Sequence, residues 1–332
     1  MKLAVFEVEE WEKGAFERLD SGHDMRFLHD PLTSGNAGPY ADVDVISTFI
    51  YSELDSITLS HFRDLKLIAT RSTGYDHIDM AYCRGRGISV ANVPTYGDNT
   101  VAEHVFGLLL AISHNLVDAV DRTRRGDFSL LGLRGFDLKG KTIGVLGTGS
   151  IGRCVIDIAK GFHMDVLAYD LYPKEELASR VGFRYVSLEE VLRKADFITL
   201  HVPATPETDN FLSEREFSMM KTGVVIINTA RGSLIDIQAL LRAITTGKVA
   251  AVGLDVLPEE PAIREEAELL RFIAQKKPLD VLLADHILLR LRNVLITPHS
   301  AFNTREAVQR ILDTTIDNIA AFAAGVIKNR VI

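Results

Sequence analysis

The chain of 332 residues has only two cysteines, Cys83 and Cys154, far apart and matching no ligand or redox spacing. That pattern reads as a reduced intracellular protein with two incidental thiols and no metal site. Positive charge is also in short supply. A formal net charge of −8 leaves no broad basic surface for nucleic acid or an anionic membrane. The one dense basic run, residues 122–125, reads as the solvated end of a helix. Long apolar runs are missing too, since the strongest, residues 105–112, falls well short of the roughly 20 needed to span a bilayer. The opening MKLAVFEVEEW turns acidic after a few apolar residues, which suits a first strand and not a signal peptide. A cytoplasmic protein without membrane or nucleic-acid partners is expected. At 332 residues and 47% apolar content, the chain suits two α/β domains.

What is present centres on residues 142–170, TIGVLGTGSIGRCVIDIAKGFHMDVLAYD, which read as strand, glycine turn, helix and second strand. Gly147, Gly149 and Gly152 give G-x-G-x-x-G. Gly147 allows the tight bend, Gly149 leaves no side chain between backbone and a pyrophosphate, and Gly152 lets the helix press on the strand. Asp170 ends the second strand 18 residues after Gly152, where an acid accepts from an adenosine ribose hydroxyl. Leu171, Tyr172 and Pro173 follow with no arginine for a 2′-phosphate, so NAD is expected over NADP.

Upstream, residues 3–6, 43–49, 67–70 and 88–92 are β-type runs of a first, smaller parallel domain. Its polar loop RSTGYDHID, residues 71–79, leaves the carboxyl end of a strand, where open α/β sheets place ligands. There Gly74 either brings a backbone N–H to a substrate carboxylate or makes a plain turn. Residues 103–122 read as one long helix with a stripe of Val105, Leu108, Leu109, Ile112, Leu116 and Val120 that needs a partner. His104 and His114, ten apart on it, have the wrong spacing for joint metal ligation and read as structural. Downstream, residues 197–202, 224–228, 249–254 and 294–297 read as strands. Their ends carry His201-Val202-Pro203, Thr229-Ala230-Arg231, Asp255 and, after the last, Pro298-His299-Ser300. Arg231 can hold a carboxylate bidentately at any working pH, and His299 with Glu260 suggests an acid/base pair.

With RSTGYDHID, GTGSIG, NTARG, GLDVLPEEP and TPHSAFNT in this order, the chain resembles the NAD-dependent D-2-hydroxyacid dehydrogenases. The segment VPTYGDNTVAE, with Tyr96, is most similar to the D-lactate dehydrogenase branch. The resemblance implies an α/β fold of two doubly wound parallel-sheet domains. A Rossmann NAD domain, residues 100–296, would be inserted into a flavodoxin-like substrate domain made of residues 1–99 and 297–332, with the active site in the cleft between them. It assigns Arg231 to the substrate carboxylate, His299 to the proton donor and Glu260 to the acid that supports it. Thr73, Gly74 and Tyr96 would meet the substrate. Ser150, Ile151, Asp170, His201, Val202, Pro203, Thr208, Thr229, Ala230, Arg231 and Asp255 would join the three glycines around NAD. The helix at 103–122 would build a homodimer. Two departures stand out: residues 262–293, with an apolar helix around Leu269 and the run 281–291, exceed the usual connection, and Asp98 replaces a usual proline.

The implied reaction is NADH-dependent reduction of a 2-oxo acid to a D-2-hydroxy acid, and its reverse. Protonated His299 would serve the developing alkoxide, with Glu260 favouring the imidazolium. The alternatives are glyoxylate or hydroxypyruvate reduction and a phosphoglycerate-type dehydrogenase, the last disfavoured by the lack of a regulatory domain. Formate oxidation typically has Gln in place of Glu260. From a different class comes an NAD-sensing corepressor-like scaffold, disfavoured by the lack of low-complexity tails.

Overall fold

Short apolar strands joined by helical crossovers give two parallel sheets in the computed structural model, which describes residues 1–19, 22–258 and 279–332. The chain divides into two units, residues 1–96 with 303–332 and residues 97–302.

The first unit holds β1 (Lys2–Val5), β2 (Asp24–Phe27), β3 (Val45–Thr48), β4 (Leu67–Thr70) and β5 (Ser89–Ala91) in the order β2-β1-β3-β4-β5. That is the flavodoxin-like order, all parallel, with the chain reversing direction across the sheet between β1 and β3. Its helices are α1 (Glu10–Phe16), α2 (Ser56–Ser60), α3 (Met80–Arg86) and a final long helix, Arg305–Ala323. Alternation along the strands sends Phe6, Ile46, Ile68 and Val90 to one core with Leu59 and Phe62. Leu3, Val45, Leu67 and Ala69 go to the other, under Leu312, Ile316 and Ile319 of the final helix. Strand β2 is not marked by any apolar run in the sequence, because Asp24-Met25-Arg26-Phe27 is a polar, half-exposed edge.

The second unit holds β6 (Thr142–Leu146), β7 (Asp165–Tyr169), β8 (Arg184–Tyr185), β9 (Phe197–Leu200), β10 (Val224–Asn228), β11 (Val249–Leu254) and β12 (Val294–Ile296). Their order is β12-β11-β10-β9-β6-β7-β8, again all parallel, so the topological switch lies between β6 and β9. Around this sheet run α4 (Asp98–Ser113), α5 (Leu116–Arg124), α6 (Ser150–Gly161), α7 (Glu175–Val181), α8 (Leu188–Lys194), α9 (Glu214–Met219), α10 (Ile237–Thr245) and α11 (Leu279–Leu288). The final helix of the first unit is α12. Helix α11 falls within the long 262–293 segment, whose part around Leu269 lies outside the described residues.

One expectation is corrected. The single helix at 103–122 is two helices, α4 and α5, bent by 62°. Asn115 breaks it, with a left-handed φ of 51° that no helix interior accepts. The stripe divides with it. Val105, Leu108 and Leu109 are buried within the unit against α6 and the sheet, whereas Leu116 and Val120 on α5 are each 46% exposed. Among the described residues no single helix is long and apolar enough to cross a membrane.

The turn after β6 is as tight as its glycines suggest. Gly147 has φ +97°, and a Cβ there would lie 2.5 Å from the His201 carbonyl oxygen. A Cβ on Gly152 would lie 2.1 Å from the Gly147 carbonyl oxygen, while one on Gly149 would meet nothing within 4 Å. Gly152→Ala is therefore expected to lower unfolding stability by about 1–3 kcal/mol, and Gly149→Ala to stay within about 0.5 kcal/mol of the parent. Urea titration of the two variants side by side checks this, and equal losses would mean the helix does not press on the turn.

Across the switch, the His201 Nε2 sits 2.9 Å from Thr199 Oγ1, and burial pushes the imidazole pKa down from 6.5 to about 3. The unfolded chain therefore binds a proton that the folded one refuses. This contribution is absent above the unfolded value and erodes stability as pH falls from 6.5 towards about 3. The loss should approach a slope of about 1.4 kcal/mol per pH unit. Unfolding midpoints measured from pH 7 to 4.5 should fall more steeply for the parent than for His201→Gln. A parent-to-variant difference that does not change with pH would show that the ring is not held neutral by the fold.

Candidate active site

The switch between β6 and β9 opens a crevice at the carboxyl ends of the second sheet, and the glycine turn forms one side of it. Ser150 and Ile151 begin α6, whose N-cap Gly149 supplies no side-chain acceptor. The first-turn N–H groups and the open space at Gly149 thus suit an anion such as a pyrophosphate. Asp170 follows β7. Its Oδ2 accepts from Thr148 N at 2.6 Å and Thr148 Oγ1 at 2.7 Å, and its Oδ1 from Tyr172 N at 2.9 Å. Burial pushes its pKa up, but the hydrogen bonds from Tyr172 and Thr148 and the Lys174 charge outweigh it, so the carboxyl group sits below its ordinary range. Oδ1 keeps a lone pair for a ribose hydroxyl. Thr148 and Tyr185, whose hydroxyls are 2.8 Å apart, orient this acid, and neither was picked out from sequence because they join it only in the fold.

On the other side, the loop after β9 carries His201, Val202, Pro203 and Thr208. The His201 ring spends Nε2 on Thr199 Oγ1, which leaves its other ring nitrogen and its backbone to face the loop. The Thr208 hydroxyl donates to Pro203 O at 2.7 Å and closes its own loop. Thr229, after β10, is 9% exposed and its Oγ1 has no partner among the described residues, which leaves a donor and an acceptor at the site. This donor set, the uncapped helix end and the glycine cradle together fit a dinucleotide.

Three adjacent strands carry the chemistry. Arg231 follows β10, Asp255 follows β11, and His299 lies in the loop after β12. Arg231 is half-buried and donates through Nη1 to Ala230 O at 2.8 Å. Its backbone is set by Asn228, a buried amide that accepts from Ala230 N at 3.0 Å and donates to Arg231 O at 2.8 Å. In the sequence alone Asn228 is simply the last residue of a strand. Gly232 then presses against the Leu257 backbone, where a Cβ would come within 2.2 Å of the carbonyl carbon. Asp255 has no exposed surface and turns both oxygens into the loop that holds His299. Glu260, expected as the acid that supports His299, lies outside the described residues.

In the first unit, the loop of Thr73 and Gly74 leaves the carboxyl end of β4. Thr73 Oγ1 donates to Val93 O at 2.7 Å, Asn92 Nδ2 to Thr73 O at 2.8 Å, and Ser72 Oγ to Gly74 O at 2.6 Å. Tyr96 is tied by its carbonyl, 2.6 Å from Arg310 Nε on α12. Arg71 is buried, and its guanidinium donates to Phe6 O at 2.8 Å and Glu7 O at 2.5 Å. Burial lowers its pKa against the opposing charges of Glu12 and Glu7. Glu7 in turn accepts from Phe49 N, Tyr51 N and Ser52 Oγ, which fixes the loop after β3. None of Arg71, Glu7 and Asn92 was among the expected site residues.

Residues 106–301 match the family model described as D-isomer specific 2-hydroxyacid dehydrogenase, NAD binding domain. The D-lactate dehydrogenase of Escherichia coli is 35% identical over 332 residues, covering 98% of each chain. A glyoxylate reductase of Thermococcus litoralis is 32% identical, over 98% of this chain and 95% of its own. Among solved structures, the D-lactate dehydrogenase from Aquifex aeolicus complexed with NAD and lactic acid aligns with a TM-score of 0.85 and 35% identity, over 97% and 96% of the two chains. The chain therefore belongs to the D-2-hydroxyacid dehydrogenase family, on its D-lactate dehydrogenase branch, and is an NAD-dependent oxidoreductase.

Proposed function

We propose that this enzyme interconverts a 2-oxo acid and its D-2-hydroxy acid, with pyruvate and D-lactate as the leading pair. The observation that carries the reading is the row formed by Arg231, Asp255 and His299 at the carboxyl ends of three neighbouring strands of the dinucleotide-binding sheet. Gly149, Ser150, Ile151 and Asp170 would hold NAD, with Val202, Pro203, Thr208, Thr229 and Ala230 along its length. When bound, the reduced cofactor supplies the hydride that reduces C2 of the oxo acid. Arg231 binds the substrate carboxylate through its planar fork and so fixes the oxo group in one orientation. The imidazole of His299 donates a proton to the substrate oxygen in reduction and takes it back in oxidation, with Glu260 as its proposed partner. Thr73, Gly74 and Tyr96 are proposed substrate contacts.

Glyoxylate reduction is the second reading, favoured by the Thermococcus litoralis relative. Hydroxypyruvate belongs on the same panel, because a glycerate dehydrogenase is 37% identical over 274 residues. Free Cys83 and Cys154 suit a reducing compartment, and we place the enzyme in the cytoplasm.

We further propose a homodimer. With the α4 half of the expected stripe buried inside its own unit, the surface left for a second copy is α5 and the segment after it. Leu116, Val117 and Val120 are 46%, 55% and 46% exposed, and Phe128, Leu130 and Leu131 are 77%, 83% and 84% exposed.

Initial rates with NADH should be highest for pyruvate among pyruvate, phenylpyruvate, 2-oxoisocaproate, glyoxylate and hydroxypyruvate. A higher kcat/KM for glyoxylate would move the assignment to the second reading. Arg231→Lys should lower kcat/KM by about 10- to 100-fold with NADH binding nearly unchanged. His299→Ala should lower kcat by roughly 10²–10⁴-fold. Near-parental turnover in either variant would remove that residue from the site. Sedimentation velocity should give a dimer for the parent and a monomer for Val117→Asp combined with Leu131→Glu. A monomeric parent at micromolar concentration would discard the proposed interface.

A further inference from the structure

One buried side chain, Asp255, makes three hydrogen bonds to the loop that carries His299. Asp255 Oδ1 accepts from Thr297 Oγ1 at 2.5 Å and from Ser300 N at 2.9 Å, and Oδ2 accepts from Ala301 N at 2.8 Å. These bonds bracket His299, whose own N–H folds back on Thr297 O at 2.9 Å. His299 has φ +53°, a conformation that a residue with a Cβ keeps only when its surroundings impose it. The backbone on both sides of His299 is therefore tied to the orientation of the Asp255 side chain.

A third residue completes this clamp from a distant part of the chain. His104, on α4, places Nε2 at 3.0 Å from Thr297 Oγ1 and 3.5 Å from Asp255 Oδ1. A threonine hydroxyl has one proton, and here it goes to Asp255, so the oxygen must accept from His104. That fixes the histidine as an Nε2–H donor. It also closes the hydroxyl's other choices, since rotating the Thr297 proton away from Asp255 would set two donors face to face. Among the described residues His104 is the only basic side chain within ion-pair distance of Asp255.

We propose that His104 is a positioning residue for catalysis: by donating to Thr297 it locks the Thr297–Asp255 pair and so holds His299 in line to pass its proton. This rests on the reading of His299 as the proton donor. It gives a task to a histidine that spacing alone marks as structural, 193 residues from its partner in sequence.

The test compares the parent with His104→Leu, which removes the donor, His104→Gln, whose amide N–H reaches about as far as Nε2, and Thr297→Val, which removes the bridging hydroxyl at constant shape. For His104→Leu and Thr297→Val, kcat for 2-oxo acid reduction should fall by roughly 10- to 100-fold, the usual consequence of a misaimed catalytic group. KM for the oxo acid and the Kd for NADH should stay within about threefold. His104→Gln should recover kcat to within about threefold of the parent. Amide exchange read by mass spectrometry should speed up at least tenfold at residues 300–301 in the two damaged variants and not in His104→Gln. A merely structural histidine would lower the urea midpoint and leave kcat per folded enzyme and its ratio to KM unchanged, and that outcome overturns the proposal. So does a His104→Gln variant as slow as His104→Leu, or faster exchange with parental kcat. Should His104→Leu fail to fold, Thr297→Val decides by the same criteria. A parent inactive on every 2-oxo acid would overturn the functional reading, and parental exchange at 300–301 in the variants would then overturn the clamp by itself.

Discussion

Parallel pairing constrains everything else in this molecule. Strands that run the same way put all their carboxyl ends on one edge, and every crossover must climb back along a face of the sheet. Residues far apart in sequence, such as Gly147, Asp170, Arg231, Asp255 and His299, are thereby delivered to the same end of one sheet by strands that pair in parallel. The same constraint makes the strands short, buried on both faces and rich in Val, Ile and Leu, as in β9 and β10. Because both faces are covered by helices, only the edge and its loops remain for chemistry.

Those loops are then held by side chains bonded to backbone. Arg71 holds carbonyls at the end of β1, Glu7 holds amides after β3, Asn228 holds the Arg231 turn, and Asp255 holds the His299 loop. Arg71, Asn228 and Asp255 are polar groups taken out of water with their hydrogen bonds satisfied mainly by backbone, and leaving any one of them unsatisfied costs more than the bond itself contributes. Two of the non-glycine residues with φ above zero, Glu7 and His299, lie in these anchored segments. Strain at the loop is offset by bonds from a rigid strand end.

Much of this was legible in the sequence, for a physical reason. The glycine turn is local: its tightness follows from φ at Gly147 and close approach at Gly152, both encoded within six residues. Buried parallel strands announce themselves as apolar runs, so β4, β6, β10 and β11 were read with their observed bounds. What escaped depends on partners remote in sequence or on exposure. The edge strand β2 has no apolar run. The bend at Asn115 splits a stripe that is continuous in sequence but meets a core on one half only. His104 has no meaning until Thr297 is beside it, and Asn228 no meaning until its strand ends in a turn.

The first unit is closed by residues 303–332, which are made only after the whole second unit. Leu312, Ile316 and Ile319 of α12 cover the apolar face of β1, β3 and β4, and Val331 N–H bonds to Val90 O at 2.8 Å beside β5. Between residue 96 and residue 303 the ribosome must supply the whole second unit. At 5–20 residues per second that takes on the order of 10–40 s. Throughout that interval the face of Leu3, Val45 and Leu67 has Phe16 and Leu19 from the N-terminal part to cover it but not yet α12, so the nascent first unit carries apolar surface of the kind that favours aggregation and that the finished protein hides.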